Sequence, residues 1–155
     1  MIKYHDMSTD NEYMCEAINE AIRAAELDEV PVGALIVKDG EIIARAHNMV
    51  ESLGSPTAHA EMIAISEATG KLGKWLDGCT MYVTLEPCAM CAGAIVLSRL
   101  DRLCIGAMDS KTGACGSLRN IVCDERLNHK VELTVGIEAE VCSKLLKDFF
   151  RKRRK

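Results

Sequence analysis

Residues 79–91 read Cys79-Thr80-Met81-Tyr82-Val83-Thr84-Leu85-Glu86-Pro87-Cys88-Ala89-Met90-Cys91. Their first part, Cys79 to Leu85, is rich in β-forming residues and predicts a strand. Pro87 suits the first turn of a helix, which we expect to end at about Ser98. A second strand is predicted from Arg102 to Ala107. Strands that alternate with helices in this way are typical of an α/β domain.

The remaining elements extend this pattern in both directions. Asp39-Gly40 is a strong hairpin signal. A first helix at 11–27 would be capped by Ser8, Thr9 or Asp10, and a second at 58–68 would be capped by Ser55 or Thr57 and ended by Gly70. Further strands are expected at 32–37, 41–46 and 131–135, a loop at 109–129, and a last helix from about Glu138 with an apolar stripe of Val141, Cys142, Leu145, Leu146, Phe149 and Phe150. The order predicts a three-layer α/β domain with a mixed β-sheet and helices on both faces.

Composition limits the class of protein. The 155 residues suit one domain, and 48% hydrophobic against 27% charged residues excludes a disordered chain. The longest apolar run, residues 89–97, is too short to span a membrane. The N-terminus lacks the apolar core of an export signal, which predicts a cytoplasmic protein.

Eight cysteines are many for this length. In the cytosol we expect them reduced, so burial or metal binding explains them better than disulfides. Five lie in or beside apolar stretches and are predicted to be small core residues: Cys15, Cys79, Cys104, Cys123 and Cys142. Cys115, between glycines, is expected in an exposed loop.

The charge distribution is uneven. The net charge is −4, yet the last five residues, 151–155, are all basic. Such a tail is either a solvated terminus or a contact for a polyanion.

Two short motifs carry the chemistry: His59-Ala60-Glu61 and Pro87-Cys88-Ala89-Met90-Cys91. Each is predicted to open a helix, where the helix dipole favours a thiolate. Cys88 and Cys91 are three residues apart and therefore lie on one face of a turn. Two thiolates and the imidazole of His59 suit Zn²⁺, and three protein ligands leave a fourth position for water, as in catalytic sites. Glu61 projects from the same turn as His59 and is free to move protons.

Simpler interpretations exist for each part. A lone C-x-x-C is often a redox pair or half of a structural zinc site, which Cys79 or Cys104 could close. The other histidines, His5, His47 and His129, are interpreted as surface or loop residues. The combination of both motifs with Glu61 favours catalytic zinc.

The motif pair H-x-E and P-C-x-x-C is similar to that of zinc-dependent nucleobase deaminases. Beyond it, nearly the whole chain resembles the bacterial tRNA-specific adenosine deaminases, within the zinc-dependent cytidine/deoxycytidylate deaminase family. The segments that carry this resemblance are residues 30–34, 56–61, 84–94, 109–118, 128–132 and 149–154.

The resemblance implies hydrolysis of the wobble adenosine of a tRNA anticodon to inosine. It implies one Zn²⁺ per subunit held by His59, Cys88 and Cys91, with Glu61 as the proton carrier and Asn48 contacting the base. Lys111, Arg151, Arg153 and Arg154 are expected to contact RNA, and family members are homodimers. We therefore expect deletion of residues 151–155 to weaken tRNA binding and flatten its salt dependence. Two alternatives remain: a deaminase of free guanine, cytosine or nucleosides, and a non-catalytic zinc module that binds RNA.

Overall fold

A computed structural model describes residues 7–153. The helices and strands are, in chain order, α1 (Met7–Glu26), β1 (Gly33–Lys38), β2 (Glu41–His47), α2 (Val50–Leu53), α3 (Ala60–Leu72), β3 (Cys79–Leu85), α4 (Ala89–Leu97), β4 (Arg102–Ala107), β5 (Glu132–Val135) and α5 (Ala139–Arg153). The bounds predicted for β3 and β4 are confirmed.

The five strands form one mixed sheet with the order β2-β1-β3-β4-β5. β1 pairs antiparallel with β2 and β3, whereas β3, β4 and β5 are parallel. The helix that connects two parallel neighbours begins at the carboxyl end of the first strand. α4 therefore starts at the carboxyl edge of the sheet, immediately after β3.

Side chains alternate between two cores because successive residues of a strand point to opposite faces. Ile36 and Met81 pack under α3 and α4. Their neighbours Leu35 and Tyr82 pack under α1 and α5. The predicted three-layer arrangement, with helices on both faces of a mixed sheet, is confirmed.

α1 begins one turn before the predicted start at Asn11, so the expected caps at Ser8, Thr9 and Asp10 are wrong. Asp10 instead lies inside the helix and is buried. Its two carboxylate oxygens accept hydrogen bonds from the guanidinium of Arg102, each at 2.8 Å, and one also accepts from the Tyr82 hydroxyl. A tertiary ion pair therefore replaces the local capping role that we predicted.

α3 also departs from its predicted bounds. Its N-cap is His59, while Ser55 and Thr57 hydrogen-bond to each other. The helix passes through Gly70 and ends at Gly73, whose φ of 98° suits glycine. α2, a single turn, was not predicted. α4 begins at Ala89 with Cys88 as its N-cap, so Pro87 precedes the helix and is not in its first turn.

Several predictions of exposure are wrong. Cys115 is fully buried, because the surrounding loop folds back under the end of β3, and Cys15 is exposed on α1. In the α5 stripe, Cys142 and Phe149 are buried while Val141 and Phe150 are exposed.

Two of the histidines interpreted as surface or loop residues are half-buried, and of these His129 lies in a loop. His47 ends β2, and its Nε2 is buried without a partner among the described residues. His129 donates from Nε2 to the Leu100 carbonyl at 2.7 Å. His5 lies outside the described residues. Among residues 7–153, no helix combines the length and the apolarity that crossing a bilayer requires.

Candidate active site

The predicted metal ligands lie at the first turns of two helices. His59 and Cys88 are the N-caps of α3 and α4, and both have extended backbone, with ψ of 151° and 177°. Cys91 lies in the first turn of α4. Each ligand thus stands where backbone N–H groups have no partner within the helix and where the helix dipole is positive.

The three side chains meet. The Sγ atoms of Cys88 and Cys91 lie 3.7 and 3.4 Å from Nδ1 of His59. One donor atom from each residue lies within 4.8 Å of the others, which is the only such cluster in the described part of the chain. Two sulfurs and one imidazole nitrogen are a donor set that zinc prefers, so the residues fit that ion.

The electrostatics of the cluster favour a thiolate at Cys88. A hydrogen bond from the Cys91 thiol lowers the pKa of Cys88 to about 5, and the amides of Met90 and Cys91 act in the same direction. The same hydrogen bond, together with burial, raises the pKa of Cys91. A divalent cation bound here would favour both thiolates and release their protons.

Glu61 lies beside the cluster in the first turn of α3. It is 3% exposed, and its Oε1 has no hydrogen-bond partner among the described residues. Burial raises its pKa. A buried carboxylate oxygen without a partner is costly, and at a site it is available to a proton or a ligand.

A pocket of about 260 Å³ opens at the cluster. Its lining residues are Glu29, Val30, Val32, Asn48, Val50, Glu51, His59, Ala60, Glu61, Leu85, Glu86, Cys88, Asp109 and Thr112. The pocket lies at the carboxyl edge of the parallel strands, where α/β sheets bind ligands. It brings the predicted base contact, Asn48, together with Glu61 and two of the predicted metal ligands.

Comparison with known proteins identifies the family. A model of the MafB19-like deaminases matches residues 8–154. The tRNA-specific adenosine deaminase of Bacillus subtilis (strain 168) is 53% identical over 150 residues, 96% of this chain and 93% of that protein. The protein of the same name from Aquifex aeolicus (strain VF5) is 53% identical over 139 residues, 89% of this chain and 91% of that one. The chain belongs to the tRNA-specific adenosine deaminase family.

A solved structure of the family agrees with this assignment. It comes from biochemical and structural studies of A-to-I editing by tRNA:A34 deaminases at the wobble position of transfer RNA. It superposes with a TM-score of 0.84 at 41% identity, over 87% of this chain and 99% of that one. The resemblance stated from the sequence is confirmed.

The amide of Asn48 lies in the pocket wall of this family member. Asn48 is 8% exposed; its Nδ2 donates to the Val30 carbonyl at 3.4 Å, and its Oδ1 accepts from the Val50 amide at 3.3 Å. Both bonds are long, and each polar atom keeps one further bonding position.

Two of the predicted RNA contacts, Lys111 and Arg153, lie near the pocket rather than in it. Lys111 is exposed and adjoins Thr112, which lines the pocket. Arg151 is exposed and lies 3.8 Å from Asp148. Arg153 lies 4.7 Å over the Phe149 ring and donates to the Asp28 carbonyl, beside Glu29 of the pocket. Arg154 lies outside the described residues.

Sequence reasoning missed two residues of the site, Glu29 and Glu86. Both line the pocket and are almost completely buried. The signal that could have found Glu86 is an acidic residue directly after a strand, whereas Glu29 lies four residues before β1 and has no such signal.

Proposed function

We propose that the protein hydrolyses adenosine to inosine at the wobble position of a tRNA anticodon, with one zinc ion per subunit held by His59, Cys88 and Cys91. The observation that carries the proposal is the cluster of these ligands beside Glu61, in a pocket of base size. The names of the relatives at 53% identity support adenosine in tRNA as the substrate.

Zinc, when bound, would act as a Lewis acid that makes hydroxide available near neutral pH. The net reaction adds water at C6 of adenine and releases ammonia, so protons must move to the ring nitrogen and to the departing amine. Glu61 is the group for this transfer, because its buried Oε1 has no partner among the described residues and burial raises its pKa.

Asn48 is proposed to orient the base. The bonding positions left on its amide provide one donor and one acceptor, which match the N6 and N7 atoms of adenine. An anticodon-loop base can enter the pocket at the cost of only a few kcal/mol of stacking energy.

The phosphates are proposed to contact Lys111 and the end of α5, at Arg151, Arg153 and Arg154. Support comes from position: Lys111 adjoins the pocket lining, and Arg153 contacts the residue before Glu29. Local basic groups of this kind reconcile RNA binding with a net charge of −4.

We also infer that residues 1–155 form one deaminase domain, ending in the basic tail 151–155, and that two copies form a homodimer. An exposed groove between α3 and α4, lined by Ile65, Ala94 and Leu97, supports the dimer because Leu97 is 81% exposed. Sedimentation equilibrium should give twice 17.0 kDa; a monomer at all concentrations would contradict this. A tRNA substrate would place the enzyme in the cytoplasm.

The test is incubation with a tRNA anticodon stem-loop carrying adenosine at the wobble position, followed by nucleoside analysis. Inosine should form in the stem-loop, and free adenosine, guanine and cytidine should remain unchanged. Chelation should abolish turnover and added Zn²⁺ should restore it. Deamination of a free base or nucleoside would indicate a small-molecule deaminase, and absence of ammonia release would indicate a non-catalytic zinc module.

A further inference from the structure

Two buried carboxylates at the pocket, Glu29 and Glu86, have no part in the proposed chemistry. Glu29 is 0% exposed and Glu86 is 2% exposed. A buried carboxylate is costly unless its oxygens accept hydrogen bonds. Where those bonds come from therefore indicates what each group does.

Glu86 binds one loop, residues 109–117. Its Oε1 accepts from the Asp109 amide at 2.9 Å and from the Ser117 hydroxyl. Its Oε2 accepts from the amides of Cys115 and Ser117 at 2.9 and 3.0 Å. A Cβ atom on Gly113 would lie only 2.3 Å from the Glu86 carboxyl group, so the loop wraps closely around it. The 109–117 loop is thus tied to the end of β3, two residues from Cys88.

Glu29 binds a different segment of the pocket wall, the short helix α2. Its Oε1 accepts from the Glu51 amide at 2.9 Å, and its Oε2 accepts from the amide and hydroxyl of Ser52. These are the first-turn amides of α2, which no residue of that short helix can satisfy. Glu29 therefore holds α2 against the start of β1.

Both held segments are walls of the pocket. The 109–117 loop contributes Asp109 and Thr112, and α2 contributes Val50 and Glu51. The metal ligands and Glu61 stand on α3 and α4, which neither carboxylate contacts through a hydrogen bond in the described part of the chain. The two carboxylates thus hold the walls and not the helices that carry Glu61 and the predicted metal ligands, while backbone hydrogen bonds also join the walls to Ala58 and Pro87.

We propose that Glu29 and Glu86 are positioning residues, each holding one wall of the pocket so that the substrate base is bound in line with Glu61. The identity of the substrate in this proposal rests on the proposed function. The restraint of the two walls does not depend on that function.

The test uses the isosteric variants Glu29→Gln and Glu86→Gln in the full chain. Each places an amide N–H against backbone N–H donors and so loosens one wall. We expect KM for the stem-loop to rise at least about tenfold, with kcat within about threefold and zinc content unchanged. Because the walls are separate, the double variant should multiply the two effects on KM.

Glu20→Gln is the matched control, since Glu20 is a 5% exposed carboxylate on α1 whose partner is the side chain of Arg23. Its KM should stay within about twofold of wild type. A KM unchanged in the two pocket variants, or raised equally in Glu20→Gln, would overturn the proposal.

Amide hydrogen exchange gives a measurement independent of activity. In Glu86→Gln the amides of Asp109, Cys115 and Ser117 should exchange at least about tenfold faster, and in Glu29→Gln those of Glu51 and Ser52, with β3 unchanged. Failure of the wild type to form inosine would contradict the proposed function alone. Unchanged exchange would overturn the positioning role whatever the substrate.

Discussion

At the scale of single residues, Glu61 is the carboxylate that we propose moves the protons. Glu61 is buried, yet one of its oxygens has no partner within the described residues. It is two residues from a metal ligand but belongs to no ligand cluster of its own. Its removal should therefore affect turnover without affecting the ion.

Glu61→Ala should retain one zinc per chain and lower kcat by about 10²- to 10⁴-fold, the range for loss of a general acid–base group. Metal analysis and single-turnover inosine formation would measure the two quantities. Glu67→Ala is the control, because Glu67 is on the same helix but pairs with Lys71 at the surface. Loss of zinc from Glu61→Ala would show that Glu61 is a ligand.

The two pairs that form the candidate site could be predicted from the sequence because each pair is local, and the resemblance to the deaminases joined the pairs, which lie 29 residues apart. Cys88 and Cys91 share one turn, as do His59 and Glu61. Glu29 and Glu86 could not be predicted in the same way, because their partners, mainly backbone amides together with the hydroxyls of Ser52 and Ser117, lie 22 to 31 residues away. Every residue except proline has such an amide, so the partner leaves no mark in the sequence.

At the scale of elements, strands were predicted more accurately than helix ends. A strand between two helical layers is buried throughout, as β4 is, and its bounds are clear. Helix ends depend on tertiary partners: Asp10 extends α1 to reach Arg102, and α3 passes Gly70, where a Cβ would meet nothing within 4 Å. Neither fact is visible in the local pattern.

The contact of α1 with β1 requires Gly33. A Cβ at this position would lie 2.0 Å from the Ala17 carbonyl oxygen and 2.7 Å from the Ala21 amide nitrogen, so the helix would have to move. Gly33→Ala should lower the free energy of unfolding by about 3 kcal/mol or more. Gly70→Ala, at an exposed position of α3, should instead raise it by up to about 1 kcal/mol. Urea denaturation of both variants measures these two changes. Equal changes in the free energy of unfolding would contradict this explanation.

The attachment of α2 should depend on pH. Burial opposes ionisation of Glu29, but hydrogen bonds from Ser52 and Glu51, aided by His47, outweigh it and lower the pKa below its ordinary value of 4.5. A depressed pKa stabilises the folded state above pH 4.5 and loses that effect as pH falls through the folded value. The stability difference between wild type and Glu29→Gln should therefore be about 1–3 kcal/mol at pH 7 and shrink below pH 4.5. Denaturation midpoints of the two proteins across this pH range measure the stability difference. A difference that stays constant with pH would show that ionisation of Glu29 does not affect stability.

At the scale of the whole molecule, the basic end of α5 lies on the side of the pocket. Arg153 contacts Asp28, which precedes Glu29, whereas Lys130 precedes β5 at the opposite edge of the sheet. Basic residues on the side of the pocket should therefore contribute more to RNA binding than Lys130 at the opposite edge.

Replacing Arg151 and Lys152 with glutamine tests this while sparing Arg153, whose interactions hold α5 to the chain after α1. In a Glu61→Ala background that prevents turnover, the slope of log K against log salt should fall by about 0.7 for each phosphate that the variant no longer neutralises. Lys130→Gln should leave the slope unchanged. Equal slopes in all three proteins would exclude a phosphate contact at residues 151 and 152.

The pocket is lined by residues at the starts of α3 and α4 and by the two segments that Glu29 and Glu86 hold. This division has a consequence for the redesign of substrate selectivity. Selectivity can be rebuilt without touching the reaction machinery, because residues 48–53 and 109–117 shape the opening while 59–61 and 88–91 remain in place. Libraries confined to those two segments should yield enzymes that accept other nucleobases. Libraries that include the two anchoring glutamates should mostly yield catalysts with poor discrimination.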